Sequence, residues 1–269
     1  MSTGVAIIIV LGSLLVGALT YILIARRSPE GGRDHQTPTN VYAVTAGAMS
    51  LLIAFTMSMT FSQYTSAQQA AEQQAASVLA MSRSATFMGP NVRDALRDEL
   101  MCYAEAIVDE QWESMRAGSA QVAPTVKTSL TEMDMALQRN AKEAGVGLSM
   151  WESANTARAT ASVQLLHIAT SSVPLVLWLL LIFGSIITLG SLLVYADSSK
   201  PAWGHALVIV GPLFVAAAAL VVISFFDRPF ADTSGAVSPD SMRAAITEMR
   251  TERIGDLPLP ECPRAGGSA

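Results

Sequence analysis

Four hydrogen-bonding side chains, Thr45, Thr56, Thr60 and Gln63, sit in a stretch from Val41 to Tyr64 that carries no Asp, Glu, Lys, Arg or His. On a helix turning about 100° per residue they fall on one face, within roughly 60° of each other. Uncharged hydroxyls and an amide on one face can replace part of an ion's hydration shell, which is the chemistry of a pore lining. The same residues equally suit a helix–helix contact, where Thr and small side chains allow close approach and bond across. Phe55 and Phe61 point elsewhere on that helix, either as core or as a hydrophobic gate.

The remaining candidates for chemistry are weaker. His35, His167 and His205 each lie near the end of an apolar segment, and none has a metal-ligand neighbour at helical spacing, so they read as interfacial packing residues. Glu105, Asp109, Glu110 and Glu113 could face a divalent cation or form the solvated face of a helix. Gly184, Ser185, Thr188 and Ser191 form a small-residue face suited to helix packing. No nucleophile elbow, phosphate-binding loop or zinc-protease helix is present. The sequence therefore points to no catalytic residue, no metal, no cofactor and no enzyme.

Composition sets the environment for these residues. Of 269 residues 51% are hydrophobic and 14% charged, a membrane-protein balance. The formal net charge of −5 offers nothing to neutralise phosphates, which excludes nucleic acid as a partner. The apolar cores hold no Asp, Glu, Lys, Arg or His, whereas a proton pump, ion-coupled carrier or voltage sensor normally needs such groups within the membrane.

Four apolar segments are predicted to cross the bilayer, each long enough for a hydrocarbon core of about 30 Å. The first is 5–25, retained rather than cleaved because its positive charges, Arg26 and Arg27, follow it. A short loop, 26–40, leads to the second, 41–64, with Thr39 or Asn40 as a cap. Ala- and Gln-rich sequence without Gly or Pro continues to Met88, so one unbroken helix over 41–88 is expected to leave the membrane. An extramembrane helical bundle then occupies 65–172. Its further helices are expected over 91–117, over 125–144, and from a Ser149–Glu152 capping box onward. The third segment is 173–196, with Pro174 marking a bend, and the fourth is 206–226, after an interfacial Trp203. The tail, 227–269, holds a short helix at about 239–252 capped by Ser238 and ends in loose Pro-rich sequence. The fold class is all-α: an integral membrane protein with four transmembrane helices and a helical bundle inserted between spans two and three.

Arg26, Arg27, Arg33 and Lys200 lie in the short loops. The positive-inside bias therefore puts these loops in the cytoplasm, with both termini and the bundle outside the plasma membrane. Cys102 and Cys262 then share the outer compartment, where disulfides persist. Either they bridge, pinning the tail to the bundle, or Cys102 is a packing residue and Cys262 a free thiol.

Two strings stand out: LLIAFTMSMTFSQY followed by Glu72, and FFDRPFADTSGAVSP, which includes Asp227 to Pro239. With the order two spans, insert, two spans and tail, they resemble the bestrophin-like family of bacterial membrane proteins, over most of residues 41–250. The arginines that family would place just after the second span are absent here; Gln63 and Tyr64 are followed by Thr, Ser and Ala. The resemblance implies a homo-oligomeric anion channel lined by the second transmembrane helix, with termini in the cytoplasm, opposite to the charge count. An accessory or structural subunit docked on a larger membrane complex is the alternative. Either way the partners are the lipid bilayer and either further copies of the chain or that complex.

Overall fold

The computed structural model describes residues 36–195, 202–252, 260 and 262. The first apolar segment, 5–25, and His35 lie outside them. The regular secondary structure of the described residues is all helical, without a strand. In chain order the helices are α1 (Gln36–Ala85), α2 (Pro90–Ala106), a π-helical turn (Ile107–Gln111), α3 (Trp112–Arg116), α4 (Pro124–Arg139), α5 (Gly147–Thr170), α6 (Leu175–Tyr195), α7 (Ala202–Phe226) and α8 (Asp240–Thr251). They form two compact units, one from Met1–Ser62 and Val173–Asp227, the other from Gln63–Ser172 and Arg228–Ala269.

α1 runs for 50 residues. Within it, Ala43–Ala85 is long and apolar enough to cross a membrane. Leu175–Thr188 passes the same test only as one broken pair with Gly147–Thr170, and Gly211–Phe226 is a shorter apolar helix.

In the first unit Met49, Leu181 and Ile223 form a buried cluster, with Leu52, Ile53, Trp178 and Leu220 packed against it. The backbone of α6 comes so near α1 that a Cβ on Gly184 would stand 2.6 Å from Met49 Sδ. Asp227, just past the end of α7, accepts the Val173 N–H at 2.6 Å. It thereby satisfies a donor beside the start of α6, where Pro174 supplies none.

The second unit is packed small against large. α1 contributes Ala67, Ala70, Ala71, Ala75, Val78 and Met81, while α2 contributes Leu96, Leu100, Tyr103 and Ile107 just beyond its end, all buried in one cluster. The helix α2 starts at Pro90 after Gly89, with no side-chain cap from that glycine. Glu143 fills the role: its backbone carbonyl accepts the Gly89 N–H at 2.8 Å, and its carboxylate accepts from Asn91 Nδ2 at 3.3 Å. A carboxylate near the first turn also complements the helix dipole. The π-helical turn seats Gln111 in the core. There its amide donates to the Gln121 carbonyl at 3.1 Å and its carbonyl accepts the Ala123 N–H at 2.7 Å, holding the loop before α4.

Several helix ends differ from the sequence expectation, each for a local reason. α1 begins at Gln36, so Thr39 and Asn40 lie inside it and are not caps. It ends at Ala85, and Thr86, Phe87 and Met88 continue as tight turns whose N–H groups reach back three residues. α4 stops at Arg139, where the Asn140 amide turns back to the Ala136 carbonyl at 3.1 Å. The Ser149–Glu152 capping box does not form: α5 begins two residues earlier, and Ser149 Oγ donates to the Val146 carbonyl. α7 begins at Ala202, so Trp203 and His205 lie within its first turns. Ser238 does not cap α8; its hydroxyl donates to the Asp240 carboxylate at 2.6 Å.

Two predictions follow from this packing. A Cβ on Gly147 would lie 2.7 Å from Met88 Cγ and 2.9 Å from the Ser84 carbonyl oxygen, a backbone atom that cannot step aside. Gly147→Ala should therefore cost about 1–3 kcal/mol, read as a lower Tm of the solubilised protein. Gly47→Ala, which would meet nothing within 4 Å, is the control that should not destabilise. Glu99 has its pKa raised, first by burial and then by the Glu132 and Asp98 carboxylates. A folded-state pKa raised above the unfolded one leaves its contribution to stability intact at low pH and removes it as pH rises through the folded value. Glu99→Gln should thus raise Tm at neutral pH and change little at about pH 3.

Candidate functional site

α1 has two faces of opposite character. Thr56 and Thr60 are 1% and 0% exposed, on the same side as Met49 and Ile53, which belong to the buried cluster. Their hydroxyls donate along the helix, Thr56 to the Leu52 carbonyl at 2.8 Å and Thr60 to the Thr56 and Met57 carbonyls at 3.1 Å. Thr45 is half-buried on that side. Gln63, at the start of the second unit, is half-buried and reaches Ser171 Oγ at 3.5 Å. The four side chains share a face, and it is the one packed against other helices. The side-chain oxygens of Thr56 and Thr60 both donate to backbone carbonyls of their own helix.

A second face, roughly 120° round at 100° per residue, is exposed along its length. In the first unit it carries Val44, Ala48, Leu51, Phe55, Ser58 and Ser62. Phe55 is 69% exposed. Farther along α1, in the second unit, the same face presents Gln69, Gln73, Ala76 and Ala80, with Glu72 at its edge. Glu72 is the only acidic residue of the helix. Phe61 stands apart from this face, with its ring edge-on to Phe226 at a centroid distance of 5.3 Å. The two gate candidates therefore lie on different sides of α1, Phe55 69% and Phe61 50% exposed.

The second unit contains a polar cluster inside its core. Arg158 is 6% exposed. Its Nε donates to Asn155 Oδ1 at 2.8 Å and its Nη1 to Tyr103 Oη at 3.1 Å. Gln74 Nε2 donates to the same tyrosine oxygen at 2.9 Å. Three helices meet here: α1 brings Gln74, α2 Tyr103, and α5 both Asn155 and Arg158. Sequence reasoning passed over this cluster. The available signal was that Arg158 is the only Asp, Glu, Lys or Arg between Glu152 and Asp197 and stands among alanines.

The tail is tied down at several points. α8 buries Met242, Ala245, Ile246 and Met249. Arg83 pairs with Glu248 and with Glu252, and Arg250 with Glu105 at 2.7 Å. A disulfide joins Cys102 to Cys262 across 160 residues of sequence. The Asp240 carboxyl is held below its ordinary pKa, first by the Ser238 hydroxyl and then by Arg243. The string that precedes α8 is scaffolding too. Phe230 is buried edge-on to Trp112 at 5.6 Å, Val237 N–H bonds the Pro229 carbonyl at 2.8 Å, and Tyr64 Oη bonds the Gly235 carbonyl at 2.7 Å. Gly235 sits at a φ of 90° that other residues rarely adopt.

Glu105, Asp109, Glu110 and Glu113 are not gathered into a site. Glu105 is paired with Arg250, Glu110 accepts the Thr125 hydroxyl at 2.6 Å, and Glu113 is near Arg116 at 3.5 Å. Among the described residues no group of three or more His, Cys, Asp or Glu could hold a metal. His167 is exposed.

The family model named Bestrophin-like domain matches residues 11–242 of the chain. No curated protein matches it. Among solved structures, a single-site variant of a bacterial bestrophin homologue from Klebsiella pneumoniae superposes with a TM-score of 0.71 at 13% identity, over 94% of this chain and 99% of that one. A second variant of the Klebsiella protein gives 0.69 at 14% identity, over 92% and 99%. A variant of a protein described as a membrane protein gives 0.69 at 15% identity, over 90% and 98%. At these identities the likeness is one of fold.

Proposed function

The chain belongs to the Bestrophin-like family, and on that footing we propose that it is a homo-oligomeric channel whose ion pathway runs along the exposed face of α1. The carrying observation is that α1 keeps one face open over both its apolar and its polar half while the other is packed. A helix that must satisfy its own backbone in hydrocarbon, and whose open side passes from apolar to hydrogen-bonding residues, suits the centre of a ring of copies. Closed cyclic symmetry brings the same residue of each copy to one level. Phe55 then forms an apolar constriction that gates by excluding water, and Ser58 and Ser62 line the wider part beyond it. Thr45, Thr56, Thr60 and Gln63 hold α1 in place and take no part in conduction. The pathway proposal retains four transmembrane spans, with residues 65–172 as the extramembrane body.

The body and tail lie outside the cytoplasm in this proposal. The Cys102–Cys262 bond supports that side, because disulfides persist in oxidising compartments and are reduced in the cytosol. The basic residues of the short loops support it independently.

Two experiments test these statements. In reconstituted vesicles Phe55→Ala should raise ion flux about tenfold, a barrier change of about 1.4 kcal/mol, whereas Thr56→Val should leave it unchanged. A native particle of one copy that carries no flux would remove the channel and leave an accessory subunit of a larger complex. In intact cells, a membrane-impermeant reductant followed by an impermeant maleimide should label Cys262. Labelling that appears only after lysis would put the body in the cytoplasm.

A further inference from the structure

From Gln36 to Ser82, α1 holds a single charged side chain, Glu72, and no Lys, Arg or His. Glu72 is exposed. It accepts a hydrogen bond from Gln68 Nε2 at 3.4 Å, a neutral partner, and it joins none of the ion pairs of the described residues. The next charged residue of α1, Arg83, pairs with both Glu248 and Glu252, so that group carries a surplus of negative charge. Across the cleft lined by Gln73, Ala76, Ser149 and Ser153 stands α5. Its one Lys or Arg is Arg158, which is 6% exposed. The rest of the exposed face, Phe55, Ser58, Ser62, Gln69 and Gln73, is uncharged. The open side of α1 therefore shows its surroundings negative charge and no positive charge as far as Ser82.

We propose that Glu72 sets the sign of the permeant ion: a ring of its carboxylates, one from each copy, makes the channel select monovalent cations. This rests on the pathway proposed above. Rings of carboxylates favour cations, and rings of Arg or Lys favour anions. The family resemblance implies an anion, and the charge on α1 has the wrong sign for one. Glu72 lies about 12 Å along the helix axis beyond Tyr64, at 1.5 Å per residue, where the apolar stretch ends. It thus belongs to the mouth of the pathway and not to the hydrocarbon, and there a carboxylate keeps both its water and its charge. From the edge of the exposed face, each carboxylate in a closed ring borders both the lumen and the next copy. Fixed negative charge at a mouth concentrates cations and depletes anions. Monovalence follows from the sparseness of the ring. α1 carries no second carboxylate, and among the described residues no group of three or more His, Cys, Asp or Glu could strip and hold a divalent ion.

The test is the reversal potential of the wild-type protein in planar bilayers across a potassium chloride gradient. Potassium should be favoured over chloride by roughly tenfold or more. That preference should weaken as salt is raised, because the Debye length is already only about 10 Å at 0.1 M. Glu72→Gln should lower the permeability ratio roughly tenfold, and Glu72→Arg should turn it towards chloride. Glu113→Gln removes the same charge from an exposed side chain of α3 and should leave the ratio unchanged. Three results overturn the assignment while leaving the channel standing: a conducting wild-type protein that favours chloride, a ratio that Glu72→Gln does not change, or an equal fall in Glu113→Gln. A wild-type protein that passes no ion overturns the pathway, and the assignment with it.

Discussion

Everything described in this protein is arranged around a backbone that satisfies itself. From Gln36 to Ala85 the peptide groups of α1 bond within one uninterrupted helix, so its apolar half needs no outside partner for its main chain. That leaves the side chains of α1 free to be chosen for packing alone. On the packed side they are small or flexible, chiefly Ala, Ser, Thr and Met, and the neighbouring helices supply the bulk. The close approach at Gly184 in one unit and at Gly147 in the other shows the same economy. A single methyl group at either position would meet atoms already in place.

The second unit adds polar fastenings to this packing. Gln111, Glu143 and Asn140 each satisfy loop or helix-end backbone groups that lack partners of their own. Buried backbone polar groups must be bonded somewhere. Gln111 meets that demand with its side chain ten and twelve residues along the chain, Glu143 with its backbone carbonyl at Gly89, and Asn140 at a carbonyl four residues before it. Arg158 is the extreme case: a charge used to join three helices through a shared tyrosine oxygen.

The helices themselves were legible because their signals are local. Apolar length, the absence of Gly and Pro, and the Gly89-Pro90 punctuation all act within a few residues. The all-helical class and the family resemblance were legible for the same reason. Helix ends were less so, since the groups that end them come from elsewhere: nothing near Gly89 announces that Glu143 will serve its N-terminus. Helical spacing puts Thr56 and Thr60 on one face of α1, but a periodic pattern does not say which side is covered. That depends on α6 and α7, more than a hundred residues away. The π-helical turn at Ile107–Gln111 leaves no mark in hydrophobic spacing, because one extra residue merely shifts the stripe.

The bond between Cys102 and Cys262 has a consequence for how the molecule is made. Chain synthesis produces Cys102 first, and α4, α5, both apolar helices α6 and α7, and the tail helix must all follow before its partner exists. Until then the Cys102 thiol has no partner in the chain, and two helices that pack against α2, α4 and α8, are themselves made after it. That side chain is 4% exposed in the finished fold. The bond therefore cannot close until nearly the whole chain has been made, and the tail is the last part to be fastened.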